Sequence, residues 1–140
     1  MITAIDSSVL LDLLLDDPRF GSLSERAIKN ARSKGRLVVC EAVVAEIRPT
    51  LKSDEDGNAF FSDIGIEFEP CSYEAALLAG TMYTRYLDNR GGAKSVLPDF
   101  LVAAHAIKTS DALLARDRGY YREYFKNLVL IDPSGKLPAI

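Results

Sequence analysis

Asp6 stands between two apolar stretches, Ile2 to Ile5 and Val9 to Leu11, with Ser7 and Ser8 directly behind it. A carboxylate buried there without a partner costs several kcal/mol. Either the serines and a helix start stabilise it, or a cation does. Three more acids sit in similar company: Glu46 between Val44 and Ile47, Asp99 before the apolar run Phe100 to Ile107, and Asp117 just after "ALLA". Each has an ordinary explanation. Asp99 in a first turn complements a helix dipole, adding roughly 0.3–1 kcal/mol. Glu46 suits an exposed face or a bridge to Arg48, and Asp117 a surface ion pair with Arg116 or Arg118 worth roughly 0–1 kcal/mol.

Brought together, the four acquire a chemistry. Carboxylates about 5 Å apart repel by roughly 3 kcal/mol per pair at an effective dielectric of about 20. A divalent cation must neutralise them, or some must protonate. Oxygen-only donors favour Mg²⁺ or Mn²⁺ over zinc, and Mg²⁺ keeps several waters, which suits a phosphate-binding site.

The elements that would position these acids are strands alternating with helices. Residues 2–5 read as a strand, and Ser7 or Ser8 as the cap of a helix running to about Asp16. A second helix begins at Ser22 or Ser24 and stops at Gly35. "RLVVC" (36–40) is a strand that feeds the helix "EAVVAEI", ended by Pro49. "SDEDGN" is a polar turn or helix start, and "IGIEF" (64–68) alternates as a strand does. A long helix runs from Ser72 to about Leu87, then the loop "DNRGGAKS", then the helix "LPDFLVAAHAIK". "ALLA" (112–115) is a strand, "YYREYF" a short helix, "LVLI" (128–131) the last strand, and 132–140 a loose tail after a single domain, 1–131. Apolar strands without polar alternation indicate an α/β fold, a parallel sheet covered on both faces. In such sheets ligands sit beyond the carboxyl ends of the strands. Asp6 and Asp117 both belong to that rim.

The chain has 140 residues, 48% hydrophobic and 26% charged, which is one globular domain and excludes a wholly disordered chain. With 17 basic against 20 acidic residues, a net charge of −3 argues against gripping nucleic acid by overall charge. A local positive rim would have to do it, for which Arg85, Arg90, Lys94, Arg116 and Arg118 are candidates, each otherwise an ordinary solvated side chain. Cys40 and Cys71 lie far apart, outside any Cys-x-x-Cys pair. With His105 the single histidine, a structural zinc site of the Cys/His kind is not expected, and both cysteines read as small buried fillers. No leader or bilayer-length apolar run is evident, so a soluble cytoplasmic protein is expected.

His105 falls six positions after Asp99, roughly 120° around the helix, and reads as a packed histidine rather than a general base. Tyr120, Tyr121, Tyr124 and Phe125 either cap the core or stack on bases. "SYEAALLAGTMYTRYL" suits helix packing, in the core or in a dimer. A metal phosphatase is disfavoured, since neither an Asp-x-Asp pair nor a Gly-rich phosphate loop follows the first strand. A catalytically silent binding module would be favoured were the acids missing.

"IDSSVLLDLL", "VVAEI", "PDFLVAAHA" and "LLARDRGYY" resemble, in order and spacing, the four acidic segments of PIN-domain ribonucleases, in particular VapC-type toxins of toxin–antitoxin pairs. The likeness spans nearly the whole chain. It implies a PIN-like three-layer sandwich with four to five central strands. It places metal-binding acids at Asp6, Glu46, Asp99 and Asp117, with Ser8 as the polar helper that orients the first. Asp6 and Asp99 would be direct ligands, Glu46 and Asp117 acting through metal waters or on a second ion. Ala115 departs from the family, which often carries Thr or Ser there. The implied function is Mg²⁺-dependent cleavage of RNA by a homodimeric toxin, restrained by a small antitoxin. A housekeeping nuclease without an antitoxin is the alternative.

Overall fold

The computed structural model describes residues 1–90, 96–117 and 119–135. Five parallel strands form the sheet: β1 (Ile2–Ile5), β2 (Arg36–Val39), β3 (Ile66–Phe68), β4 (Ala112–Leu114) and β5 (Leu130–Ile131), in the order β3-β2-β1-β4-β5. Thr3 lies between Leu37 and Ala112, so the first strand is the centre of the sheet. Its neighbours are buried along nearly their whole length, as continuous apolar runs require. The last strand is shorter than "LVLI" suggests, because the Leu128 amide turns back to the Phe125 carbonyl.

The connecting helices are α1 (Ser7–Leu14), α2 (Gly21–Lys34), α3 (Glu41–Ile47), α4 (Asp54–Ile64), α5 (Tyr73–Arg90), α6 (Leu97–Thr109) and α7 (Tyr120–Tyr124), with a 3₁₀ turn at Arg48–Thr50. The chain steps outward from β1 to β3, then crosses back to β4. Right-handed crossovers therefore lay α1 to α4 on one face and α5 to α7 on the other. The reversal falls between β1 and β4, where a ligand crevice is expected. Ile5, Leu10, Leu37, Ile47, Phe100, Leu113 and Leu114 are fully buried between these layers, each adding roughly 1.5–3 kcal/mol of burial.

Three local expectations change. Asp6, not a serine, is the cap of α1: its backbone is extended (φ −81°, ψ 155°) and its carboxylate accepts the Ser8 amide. Neither Ser22 nor Ser24 starts α2. The Asp17 carboxylate accepts the Arg19 and Phe20 amides instead, each at 2.8 Å, while the Ser24 hydroxyl turns inward to Asp12. "SDEDGN" resolves as a helix start, with Ser53 accepting the Asp56 amide and Gly65 closing α4 at φ 80°.

Cys40 and Cys71 are also neighbours, contrary to their separation in sequence. Pairing of Val39 with Phe68, continued by the Glu69 amide on the Val39 carbonyl, sets the ends of β2 and β3 side by side. Both thiols are free, and burial pushes that of Cys71 up to about 12.

Candidate active site

Asp6 is the first residue beyond β1, pinned by its amide to the Leu114 carbonyl at 3.0 Å. It is 4% exposed. One carboxylate oxygen, Oδ2, accepts the Ser8 hydroxyl at 2.7 Å and the Ser8 amide at 3.4 Å. The other, Oδ1, is buried and makes no hydrogen bond of good geometry among the described residues, while the Tyr121 hydroxyl acts on the carboxylate. Burial raises the carboxyl above its usual range, and the Ser8 bonds only partly oppose this.

Asp6 belongs to a cavity of about 100 Å³ lined also by Ser7, Ser8, Glu46, Asp99, Arg116, Tyr120 and Tyr121, among others. That is far below the roughly 300–1,000 Å³ of a small-molecule pocket. Several waters' worth of space, at about 30 Å³ each, suits a hydrated ion. Glu46 arrives from the last turn of α3, where the Ser7 hydroxyl donates to its Oε1 at 3.1 Å. Its expected partner Arg48 pairs with Asp54 instead. Asp99 arrives in the first turn of α6, behind Pro98. The two helices touch, so their acids converge on Asp6 although Glu46 and Asp99 are distant in sequence.

Asp117 does not line this cavity. Its Oδ1 accepts the Gly119 amide at 2.7 Å, and Oδ2 pairs with Arg122. It lines the neighbouring cavity with Ser8, Arg116, Asp132 and Ser134. A short turn after β4 with Gly119 at φ 105° folds its carboxylate onto α7. Asp132, at the start of the segment read as a tail, is itself engaged, accepting the Asp117 amide at 3.2 Å.

Of the basic candidates, only Arg116 lines the acidic cavity among the described residues. Its guanidinium forms two 2.9 Å bonds to the Asp12 carboxylate and lies 4.3 Å over the Phe20 ring. Arg85 is exposed in a different cavity with Asp88, Asn89 and Glu123. Lys94, Arg118 and the Arg90 side chain lie outside the described residues.

Two participants were not legible as such. Asp12, which lies within the helix expected to run to about Asp16 and is not singled out in the sequence, is the buried anchor of Arg116. Tyr121 leaves its aromatic neighbours: Tyr120, Tyr124 and Phe125 join the rings around Phe100, whereas Tyr121 faces the acids. Burial and then the charges of Asp6 and Asp99 push its hydroxyl well above the ordinary phenol range, so it stays protonated. His105 is buried and does not line the cavity; burial lowers its pKa and favours the neutral ring.

Three acids, Asp6, Glu46 and Asp99, lining one ion-sized space are a donor set suited to a hard divalent cation. The comparisons agree with the fold that holds it. The PIN domain family matches residues 3–126, and the chain belongs to that family. No curated protein sequence matches. Among solved structures, VapBC2 from Rickettsia felis, bound to a DNA fragment from its promoter, is similar at TM-score 0.70 and 17% identity, over 94% of this chain and 98% of that one. VapBC-1 from nontypeable Haemophilus influenzae gives TM-score 0.69 and 17% identity over 96% and 99% of the two chains. FitAcB from Neisseria gonorrhoeae gives 0.66 and 17% over 97% and 100%. Among the described residues, no helix is long and apolar enough to cross a membrane.

Proposed function

We propose that the protein is a Mg²⁺-dependent endoribonuclease, with Mn²⁺ as a substitute ion, acting as the toxin of a toxin–antitoxin pair. The convergence of Asp6, Glu46 and Asp99 on one small cavity carries this reading, with Asp6 Oδ1 buried and short of a well-formed hydrogen bond, because crowded carboxylates are costly unless a cation meets them. Asp6, Glu46 and Asp99 would hold the cation. Bound there, the cation would supply a water of lowered pKa and charge stabilisation for hydrolysis of an RNA phosphodiester.

The chain's own groups prepare that site. Ser8 fixes the Asp6 carboxylate from one side while accepting the Arg116 amide at 3.2 Å from the other. It thereby ties the ends of β1 and β4 together, with no need of a hydroxyl at Ala115. Ser7 steadies Glu46. Asp117 acts from behind the cavity, holding Gly119 and Arg122 and so the turn that presents Tyr121. Arg116, locked by Asp12, puts positive charge at the mouth, where a phosphate of the RNA backbone would meet it. Arg85 takes no part in that mouth.

A small cognate antitoxin and a homodimer are the partners this reading assigns. The resemblance of the four acidic segments and the folds of the VapBC and FitAcB structures support them. Incubation of total RNA with and without Mg²⁺ tests the activity. Cleavage is expected only with the ion and only in the parent, not in Asp6→Asn. Equal cleavage by both would remove Asp6 from its role. A short open reading frame beside the gene, encoding a protein that co-purifies and blocks cleavage, tests the pairing.

A further inference from the structure

A second group of metal-ligating side chains lies on the same rim, beyond β2. The Sγ atoms of Cys40 and Cys71 and a carboxylate oxygen of Glu41 all fall within 4.8 Å of one another. Glu41 is held there by the Cys71 amide, which donates to its two oxygens at 2.9 and 3.3 Å. The Cys71 thiol rests on the Leu101 carbonyl of α6 at 3.7 Å. That carbonyl is one helical turn before His105, on the same strip of the helix.

His105 supplies a separate observation. It is 1% exposed, and its Nε2 has no hydrogen-bond partner among the described residues. The Glu69 carbonyl engages the ring, which leaves Nε2 as the nitrogen with a lone pair to offer. The Glu41 charge acts on the ring, which stands on the α6 strip that the Cys71 thiol touches at Leu101.

We propose that Cys40, Glu41 and Cys71, with His105 as fourth donor, form a binding site for a thiophilic divalent cation of the zinc type. Two sulfurs, one nitrogen and one carboxylate oxygen are a zinc donor set, and hard ions such as Mg²⁺ bind it poorly. Bond lengths of about 2.3 Å to sulfur and about 2.0 Å to nitrogen need donors roughly 3.3–3.8 Å apart; Cys40, Glu41 and Cys71 lie within 4.8 Å of one another, and the His105 ring, outside that group, has to move in to complete the set. Both thiols must lose their protons on binding, so affinity rises with pH. The site is structural in kind, joining β2, the loop after β3, and α6. Cys40 and Glu41 stand at the start of α3, whose last turn carries Glu46, and on α6 Leu101 and His105 follow Asp99 by two and six residues. An ion there fixes the angle between α3 and α6 and so the spacing of the acids.

The test is zinc uptake by the reduced, full-length protein, read by metal analysis after dialysis and by the thiolate charge-transfer and tetrahedral ligand-field bands of a Co²⁺ replacement. One equivalent per chain is expected. Cys71→Ser should weaken binding by about 100-fold or more, with the circular dichroism of the parent retained. Glu41→Gln, at an exposed position, provides a second variant that should weaken binding and alter the Co²⁺ spectrum. Asp6→Asn should keep the full equivalent, since it belongs to the other site. No uptake by the reduced parent, or uptake unchanged in both Cys71→Ser and Glu41→Gln, overturns the proposal. So does a pair of thiols that forms a disulfide under mild oxidation but takes up no zinc when reduced.

Discussion

The Ser8 hydroxyl donates to Asp6 Oδ2 at 2.7 Å, while the opposite oxygen of the same carboxylate is buried without a well-formed hydrogen bond among the described residues. On the proposed function, Ser8 thus prepares the helix-capping Asp6 to act as a ligand. One oxygen, Oδ2, does the capping, and the other is the one the proposed function assigns to the cation. Ser8→Ala keeps the backbone bond and loses the orienting one. Cleavage should fall by about 10–100-fold, mainly through weaker Mg²⁺ binding. A Mg²⁺ titration of the cleavage rate checks this, and recovery at high Mg²⁺ is the expected signature.

Asp6 also sets a pH dependence. Its carboxyl is raised in the folded state by burial, so the fold holds that proton more tightly than the unfolded chain does. The Asp6 contribution to metal-free stability should be fully present below the usual carboxylate range and be lost as pH rises through the raised value. Asp6→Asn removes the charge and keeps an acceptor for Ser8. Its melting temperature in EDTA at neutral pH should therefore exceed the parent's, by about 4 °C for each kcal/mol relieved. Thermal melts across pH, with and without Mg²⁺, measure both effects.

Asp117 and Asp6 should separate experimentally. The Asp117 carboxylate is committed to Gly119 and Arg122 and lines the adjacent cavity. Asp117→Asn is expected to lower cleavage by about tenfold while leaving the Mg²⁺ requirement intact, the scale typical of a supporting partner. Loss of activity equal to that of Asp6→Asn would instead make it a direct ligand. Single-turnover cleavage rates distinguish the two.

Arg116 is a stability residue before it is a substrate contact. The Asp12 side chain is 2% exposed and that of Arg116 30%. Removing the arginine leaves a buried, unpaired charge, a change that costs about 3–5 kcal/mol. Asp12→Ala frees an arginine that can turn to water, at a cost of about 1–2 kcal/mol. Urea unfolding of the two variants should show that asymmetry.

Tyr121→Phe deletes one hydroxyl among the acids. Stability should change by less than about 1.5 kcal/mol. Cleavage should fall about 3–10-fold, a modest general acid–base or positioning effect. Steady-state rates against urea midpoints separate this from a folding defect.

The sequence by itself determined the order of strands and helices, because apolar periodicity, Gly35, Pro49 and Pro98 act within a few residues of themselves. It also determined that Asp6 and Asp117 lie at strand ends and that Asp99 opens a buried helix. Tertiary structure alone decided which acids share a cavity. Contact between α3 and α6 brings Glu46 and Asp99 to Asp6, while a Gly119 turn takes the Asp117 carboxylate to Arg122. Pairing of β2 with β3 likewise made neighbours of Cys40 and Cys71, which are not close along the chain. Local spacing sets backbone shape over one or two turns. Where a side chain ends up depends on which distant strand lies alongside, and that is a property of the packed sheet.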